Sequence, residues 1–426
     1  MAERTRTDMK ILVVGGGGRE HAIVWKLRQS PCVSRLYCAP GNGGTAAIAE
    51  NVPIKATDLE GITAFAKQEK IDLVFVAPDD PLAMGLVDEL EAAGVRAFGP
   101  KKNAAIIEAS KAFSKDLMHR YGIPTADYAV FTDEAEALGF LDKSAMPIVI
   151  KADGLALGKG VIIANTHSEA RTAVQGMMAG SAFGQAGRTV VIEEFMTGPE
   201  LTVLAFTDGQ TVCPMVSSRD HKRALDGDQG LNTGGMGAVA PGAELSSADW
   251  KKLQATIFQP TIDAMRAEGR PFSGVIYFGL MLTAKGPKVI EYNARFGDPE
   301  TQAILPLLET DLVDIIEAIL EKRLDQLEIS WKNGCSCCVV LASGGYPGSY
   351  QTGYPISGLE SVSPDCLVFH AGTRLAENQI VTSGGRVLGV TAVADSLPAA
   401  IKAAYDNAAL VSFQNMHYRK DIGQTR

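Results

Sequence analysis

Four apolar residues, Ile11-Leu12-Val13-Val14, run straight into four consecutive glycines, Gly15-Gly16-Gly17-Gly18, and then into a helical pattern over 19–29. A strand that turns sharply into a helix is the opening of a crossover, the connection that brings the next strand back parallel. The theme repeats. Strands over 35–39, 72–77 and 95–98 alternate with helices over 59–70 and 81–93, and Gly99-Pro100 stops the series. Short apolar runs between helical patterns predict a parallel sheet covered on both faces. Ligands of such sheets sit over the carboxyl ends of the strands, where glycines cluster at 15–18 and in Pro40-Gly41-Asn42-Gly43-Gly44.

The pattern changes after Ser110. A helix is predicted over 111–121, ending at Gly122 with Pro124 beyond it. Strands over 148–151 and 161–164 read as one antiparallel pair and those over 189–195 and 201–206 as a second, with a helix over 168–178 between them. A glycine-bearing loop over 217–242 leads to a helix over 248–267, strands over 274–282 and 288–293, and a helix over 312–320. Residues 325–333 read as a linker. Strands near 338–342, 368–371 and 389–394 and a helix over 398–411 complete the chain.

Composition removes whole classes of function. The 426 residues leave room for several cores at roughly 150 residues per domain. Asp and Glu number 49 against 40 Lys and Arg, and the net charge of −9 disfavours a protein built to grip nucleic acid. No stretch of 18 apolar residues predicts a membrane span, and the opening MAERTRTDMK has no apolar core for a signal peptide. Seven cysteines in a long chain predict reduced thiols and a cytoplasmic setting. Cys335, Cys337 and Cys338 run into VVLA, which favours a buried strand over a zinc site.

Three segments carry chemistry. The 15–18 turn opens a helix, so its amides suit a phosphate. A dinucleotide fingerprint would need glycine at position 20, where Glu20 stands, and an acidic residue after Cys38-Ala39-Pro40, so a nicotinamide-dependent oxidoreductase is disfavoured. A structural tight turn remains the alternative. The second segment is Asp153-Gly154-Leu155-Ala156-Leu157-Gly158-Lys159-Gly160. It lacks the Ser or Thr that a Walker loop places after its lysine. Flanked by the strands VIK and VIIA, it is either a plain surface hairpin or a loop that folds over a triphosphate with Lys151 and Lys159. The third is V-I-E-Y-N-A-R-F-G-D-P-E at 289–300. Strand alternation sets Glu291 and Asn293 side by side as oxygen ligands and continues to Arg295. Magnesium takes few protein oxygens plus substrate phosphates, so the pair suits a nucleotide-bound metal. An exposed polar strand is the plain alternative.

Together these residues resemble the ATP-grasp superfamily and, more narrowly, the glycinamide ribonucleotide synthetase family. The run V-I-E-E-F-M-T-G-P-E-L-T-V at 191–203 is similar to the superfamily's hinge. The narrower likeness is carried by GGREHA at 17–22, PGNGGT at 40–45, SKAFSK at 110–115, KADGLALGKG at 151–160, DHKRALDGDQGLNTGGMGA at 220–238, EYNARFGDPETQ at 291–302 and YRKDIG at 418–423. They span nearly the whole chain in the family's order. The departures are Asp79-Asp80, where the family usually has glutamate first, and Leu157, where alanine is usual.

The resemblance implies a mixed α/β and α+β multidomain fold. A Rossmann-like substrate-binding domain would span 1–108, an ATP-grasp domain 109–328 with a lid at about 125–196, and a small α+β domain 329–426. It implies that ATP, with Mg²⁺ or Mn²⁺, drives the joining of glycine to 5-phosphoribosylamine through an acyl phosphate. It also assigns residues. Lys111, Lys151, Asp153, Gly154, Gly158, Lys159 and Gly160 would meet ATP phosphates, Glu193, Glu194, Phe195 and Met196 the base, and Glu200 the ribose. Lys115, one turn past Lys111, is read as support. Glu291 and Asn293 would hold the metal and Arg295 would stabilise the acyl phosphate. Asp220 would meet the glycine ammonium and Lys222 or Arg223 the transferring phosphoryl group. Gly17, Arg19, Asn42, Gly43, Thr45, Pro78, Asp79, Asn232, Gly235, Met236 and Asp298 would line the substrate site. His21 is expected to pack or touch substrate rather than act as a base. The expected partners are small molecules, with no nucleic acid and no membrane. An unstable amine makes contact with neighbouring purine-pathway enzymes attractive. The rivals are a ligase of another amine and carboxylate, and a nucleotide-binding relative that has lost catalysis.

Overall fold

The computed structural model describes residues 8–155, 160–179 and 188–424. The opening segment forms a five-stranded parallel sheet in the order Glu50–Asn51, Val33–Pro40, Met9–Gly15, Leu73–Val76 and Ala97–Phe98. Its central strands are buried on both faces, as their unbroken apolar runs require. The helix predicted over 81–93 is two helices, Asp79–Met84 and Leu86–Ala92. They break at Gly85, whose φ of 104° lies in the left-handed region that only glycine enters freely. Helix Lys102–Ala109, not foreseen, runs into Lys111–Arg120 through Ser110, whose hydroxyl accepts from the Phe113 amide as an N-cap.

Two antiparallel sheets follow. One runs Val212–Pro214, Glu200–Thr207, Gly274–Thr283 and Gly286–Asn293; the other runs Tyr128–Phe131, Val190–Glu194, Ile148–Ala152 and Val161–Ala164. The expected pairing of strand 189–195 with strand 201–206 is therefore corrected. Val190–Glu194 lies between Tyr128–Phe131 and Ile148–Ala152, whereas Glu200–Thr207 pairs with Gly274–Thr283. Burial decides the matter. Val190 and Ile192 face a small separate core with Ala170, Val174 and Met177. Leu201, Val203 and Ala205 join one large core and Leu204 and Phe206 another, so this strand must lie at the centre of the molecule.

The loop predicted over 217–242 also resolves into structure. Arg223–Leu225 and Gln229–Asn232 form a hairpin. Arg219–Asp220 and Gly237–Ala240 join a sheet that continues through Cys335–Ser343, Arg386–Ala394 and Cys366–His370. Glycines at 227, 230, 234, 235, 237 and 242 had hidden the alternation of a strand pattern. Cys337 and Cys338 are buried within the third of these strands, and all seven cysteines are free thiols. No helix among the described residues is long and apolar enough to cross a membrane.

Candidate active site

The parallel sheet, the two antiparallel sheets and the C-terminal sheet converge on one pocket of about 1210 Å³. On one wall, helix Lys111–Arg120 points its first turn at the root of the 153–160 loop. Asp153 accepts from the Ala112 amide at 3.0 Å and from the Ser110 hydroxyl at 3.1 Å, and Lys111 Nζ donates to the Gly154 carbonyl at 2.8 Å. Asp153 thus ties the loop to the helix, while Gly160 closes its other end by accepting from the Ala152 amide. Leu157, Gly158 and Lys159 lie outside the described residues.

Glu193 sits between two lysines. Its carboxylate meets Lys151 Nζ at 2.8 Å and Lys115 Nζ at 2.8 Å, with all three side chains at most 4% exposed. Burial draws Lys115 down to about 8 even with Glu193 beside it. Glu193, expected near a base, therefore engages the lysines with both oxygens, and Lys151 is aimed by Glu193 and by the Ile290 carbonyl. Glu194 pairs with Lys288 at 2.6 Å, and Phe195 and Met196 line the pocket nearby.

Glu291 and Asn293 project from one face of Gly286–Asn293, opposite Gly279 and Tyr277. A β-carbon at Gly279 would stand 3.2 Å from Glu291 Cγ, so glycine leaves room for that side chain. Burial pushes the Glu291 carboxyl upward, but Lys222, Lys151, Lys111 and Arg295 outweigh it and keep the carboxylate ionised. Lys222 Nζ stands 3.6 Å from both Glu200 and Glu291. Arg295 donates to Asn293 Oδ1 at 3.2 Å and pairs with Glu108 at 2.7 Å, while its Nε has no partner among the described residues. Glu108 also accepts from the Ala294 amide at 2.7 Å, so one buried carboxylate fixes both the strand end and the guanidinium. We expect Glu108→Gln to lower kcat about tenfold while sparing KM for ATP, checked by steady-state kinetics.

Asp220 is half-buried close to Glu300 and Tyr277, with its Oδ1 sealed from solvent. Burial and the Glu300 charge push Asp220 well above the usual carboxylate range, and burial also raises Glu300. Asp220 Oδ1 has no hydrogen-bond partner among the described residues. Two buried carboxyls with too little positive charge between them form a place for a cation. Gly235, at φ 113°, passes 2.6 Å from Asp220 Oδ1 when given a β-carbon, so the backbone there depends on glycine. Arg223 donates across its hairpin to the Gly230 carbonyl and stands at the pocket wall with Asn232.

Several expected contacts lie elsewhere. Asn42 and Thr45 are buried, and the donors of the PGNGGT loop are engaged within the protein. Asn42 Nδ2 donates to the Gly16 and His370 carbonyls at 3.0 and 2.8 Å, and Asn42 Oδ1 accepts from the Gly44 and Thr45 amides. The Gly43 amide meets Thr373, and Gly17 N donates to Glu20 at 2.6 Å. An Asn-centred turn thus takes up the amides of the PGNGGT loop within the protein, and the loop positions its neighbours. Met236 is fully buried in the C-terminal core with Ile422, and so is not on the pocket surface. Pro78 precedes the helix that begins at Asp79, and Asp79, Arg19 and Asp298 do line the pocket. Asp298 accepts from the Arg19 amide at 3.3 Å and pairs with Arg386 at 3.1 Å.

The chain's last residues strap the 220–235 segment in place. Arg419, 1% exposed, pairs with Asp228 and Asp421 and donates to the Arg223 carbonyl at 3.2 Å. Lys420 N donates to Asp226, Asp421 accepts from the Gly227 amide, and Gly423 N donates to His221 Nε2. Arg419→Met leaves Asp421 without its partner and should lower stability by about 3 kcal/mol, read by chemical denaturation. Glu108, Glu300, Tyr277 and Arg386 are among the pocket residues that sequence reasoning missed. Glu300 lies inside the quoted 291–302 motif; the other three carry no local signal.

Residues 9–108 match the N domain of phosphoribosylglycinamide synthetase, residues 109–301 its ATP-grasp (A) domain and residues 336–425 its C domain. The chain is 51% identical over 415 residues to a phosphoribosylamine–glycine ligase of Halalkalibacterium halodurans, covering 97% of this chain and 96% of that one. It is 48% identical over 419 residues to the trifunctional purine biosynthetic protein adenosine-3 of Gallus gallus, covering 97% of this chain and 42% of that protein. A crystal structure of phosphoribosylamine–glycine ligase from Thermotoga maritima superposes with a TM-score of 0.84 at 33% identity, covering 97% of this chain and 100% of that one. The biotin carboxylase domain of Hydrogenobacter thermophilus 2-oxoglutarate carboxylase, solved with MgADP, shares the fold alone. It has a TM-score of 0.73 at 16% identity over 96% of this chain and 91% of that one.

Proposed function

This chain belongs to the phosphoribosylglycinamide synthetase family and is an ATP-grasp phosphoribosylamine–glycine ligase of purine biosynthesis, and we propose which of its residues carry each step. A carboxylate does not accept an amine directly, because an oxide would have to leave. Phosphorylation of the glycine carboxylate by ATP gives an acyl phosphate; attack by the amine of 5-phosphoribosylamine then expels phosphate and forms the amide. Phosphoryl transfer calls for positioning and positive charge. Lys111 and Lys151 hold the nucleotide phosphates, with Gly154 and Gly160 lining the pocket beside them. Arg295, held by Glu108, and Lys222, between Glu200 and Glu291, face the charge that builds on the transferring group. Asp220 and Glu300 receive the glycine ammonium. The buried, under-compensated carboxyl pair is the single observation that carries this assignment.

Glu291 and Asn293 are the residues fit to hold Mg²⁺ or Mn²⁺. Their donors are hard oxygens, and no group of three or more His, Cys, Asp or Glu suited to a metal exists among the described residues, so a bound metal would need nucleotide oxygens as well. When bound, such an ion neutralises phosphate charge.

Division at 1–108, 109–328 and 329–426 is supported by the matched spans, with one qualification. Gly237–Ala240 lies in the middle stretch of sequence yet pairs with Cys335–Ser343. The Gallus gallus relative carries a similar unit within a trifunctional purine biosynthetic chain, which supports contact with other purine-pathway enzymes.

The test is ADP formation by the purified chain with Mg-ATP, glycine and freshly generated phosphoribosylamine. Turnover that requires all three is the expected result; turnover without the sugar amine, or with another amine in its place, would overturn the substrate assignment. Asp220→Asn should raise KM for glycine about 30-fold, equivalent to about 2 kcal/mol. Because both carboxyls are raised, glycine affinity should increase as pH rises and the pair ionises, checked by calorimetry across pH.

A further inference from the structure

One corner of the pocket has no role in the steps above. Arg386, the first residue of strand Arg386–Ala394, reaches the pocket from the C-terminal sheet beside Gly234, Asp298 and Tyr346. Its guanidinium is pinned along one edge. Nη1 donates to the Gly234 carbonyl at 2.7 Å and the Asp298 carbonyl at 2.8 Å, and pairs with Asp298 Oδ1 at 3.1 Å. Nε and Nη2 have no partner among the described residues, yet neither is sealed from solvent, so this edge opens on the pocket. The group lies against Gly234, where a β-carbon would come within 2.9 Å of Cζ, so only glycine allows it this position. Burial disfavours its charge, but Asp298, Tyr346, Asp220 and Glu300 hold it ionised.

Arg19 stands on the other side of Asp298. Its Nε and Nη1 are taken by Glu20 at 2.5 Å and the Phe296 carbonyl at 3.1 Å, leaving Nη2 without a partner among the described residues. A planar fork locked on one edge and open on the other suits two parallel hydrogen bonds to a phosphate monoester. The lysines and the Glu291–Asn293 pair are assigned above to the nucleotide. The PGNGGT amides, already engaged, offer nothing to a second phosphate.

We propose that Arg386, with Arg19 lining the same pocket, binds the phosphate of the sugar amine and makes the enzyme specific for a phosphorylated amine. This rests on the ligase reading for the identity of the amine but not for the site itself. Calorimetry with ribose 5-phosphate and with ribose therefore tests the site apart from turnover. Ribose 5-phosphate should bind the wild type and ribose should not. Arg386→Met should weaken ribose 5-phosphate at least 30-fold and raise KM for phosphoribosylamine by a similar factor, with KM for ATP within twofold of wild type. Arg386→Lys keeps the charge and the fold but loses the fork, and should weaken ribose 5-phosphate about tenfold. Wild-type affinity for ribose 5-phosphate in Arg386→Lys, or equal binding of ribose and its phosphate by the wild type, would overturn the proposal. Absence of turnover with phosphoribosylamine, alongside the expected calorimetry, would overturn the ligase reading and leave the phosphate site standing.

Discussion

Arg295→Met and Glu291→Gln should each lower kcat by about 10²–10³, the loss typical of removing one group that stabilises developing charge, or about 3–4 kcal/mol of barrier. The two variants should differ in stability. Arg295 is the partner of Glu108, whose carboxyl is already pushed up by burial and held down chiefly by that guanidinium. Removing the arginine strands a buried carboxylate, a loss of about 3–5 kcal/mol. Glu291→Gln removes one anion from among several cations, but Lys222 keeps Glu200, so the stability loss should be smaller than for Arg295→Met. The double variant Glu108→Gln/Arg295→Met should regain much of the lost stability and none of the lost rate. Denaturation curves set against single-turnover ADP formation separate the two effects, and near-normal turnover in a folded Arg295→Met would remove Arg295 from the chemistry.

Acid should loosen the junction between the parallel sheet and the C-terminal sheet. His21 Nδ1 accepts from the His370 amide at 2.8 Å, and the two rings lie 5.6 Å apart. Burial, with His370 adding to it, lowers His21 to about 3, and burial lowers His370 to about 4. Both rings are therefore neutral in the fold, whereas an unfolded histidine takes a proton near pH 6.5. Below that pH the unfolded chain binds more protons than the native one, so stability falls as pH drops from about 6.5 toward about 4. For His370 alone the span of about 2.5 units amounts to about 3 kcal/mol. His21→Asn, whose amide oxygen can still accept from the His370 N–H, should flatten this dependence. Urea midpoints between pH 7 and pH 4.5 measure it; equal slopes for variant and wild type would refute the junction as the acid-sensitive element.

Much of the active site was legible because its chemistry is local in sequence. Glu291 and Asn293 are two residues apart, and a strand's period of two puts them on one face wherever the strand ends up; the expected continuation to Arg295 is corrected, because the strand ends at Asn293 and the chain bends before Arg295. Lys111 follows its own N-cap, and Lys151 stands next to last in a strand whose apolar run is plain. The PGNGGT loop shows the limit of such reading. Free glycine amides and a structural turn look alike in sequence, and only the contacts of Asn42 with Gly16 and His370 distinguish them.

The sequence by itself determined the alternation of strand and helix in the first hundred residues, the placement of Glu291 and Asn293 on one strand face, and membership of the family. These follow from periodicity and motif, which are properties of neighbours along the chain. Only the tertiary structure decided that Val190–Glu194 and Glu200–Thr207 enter different sheets, that Gly237–Ala240 belongs with the C-terminal strands, and that Glu108, Glu300 and Arg386 meet around one pocket. Glu108 and Arg295 are far apart in sequence, as are Asp298 and Arg386, and no local pattern links them. Their pairing arises because buried charges must find partners among whatever the packed apolar faces bring within reach.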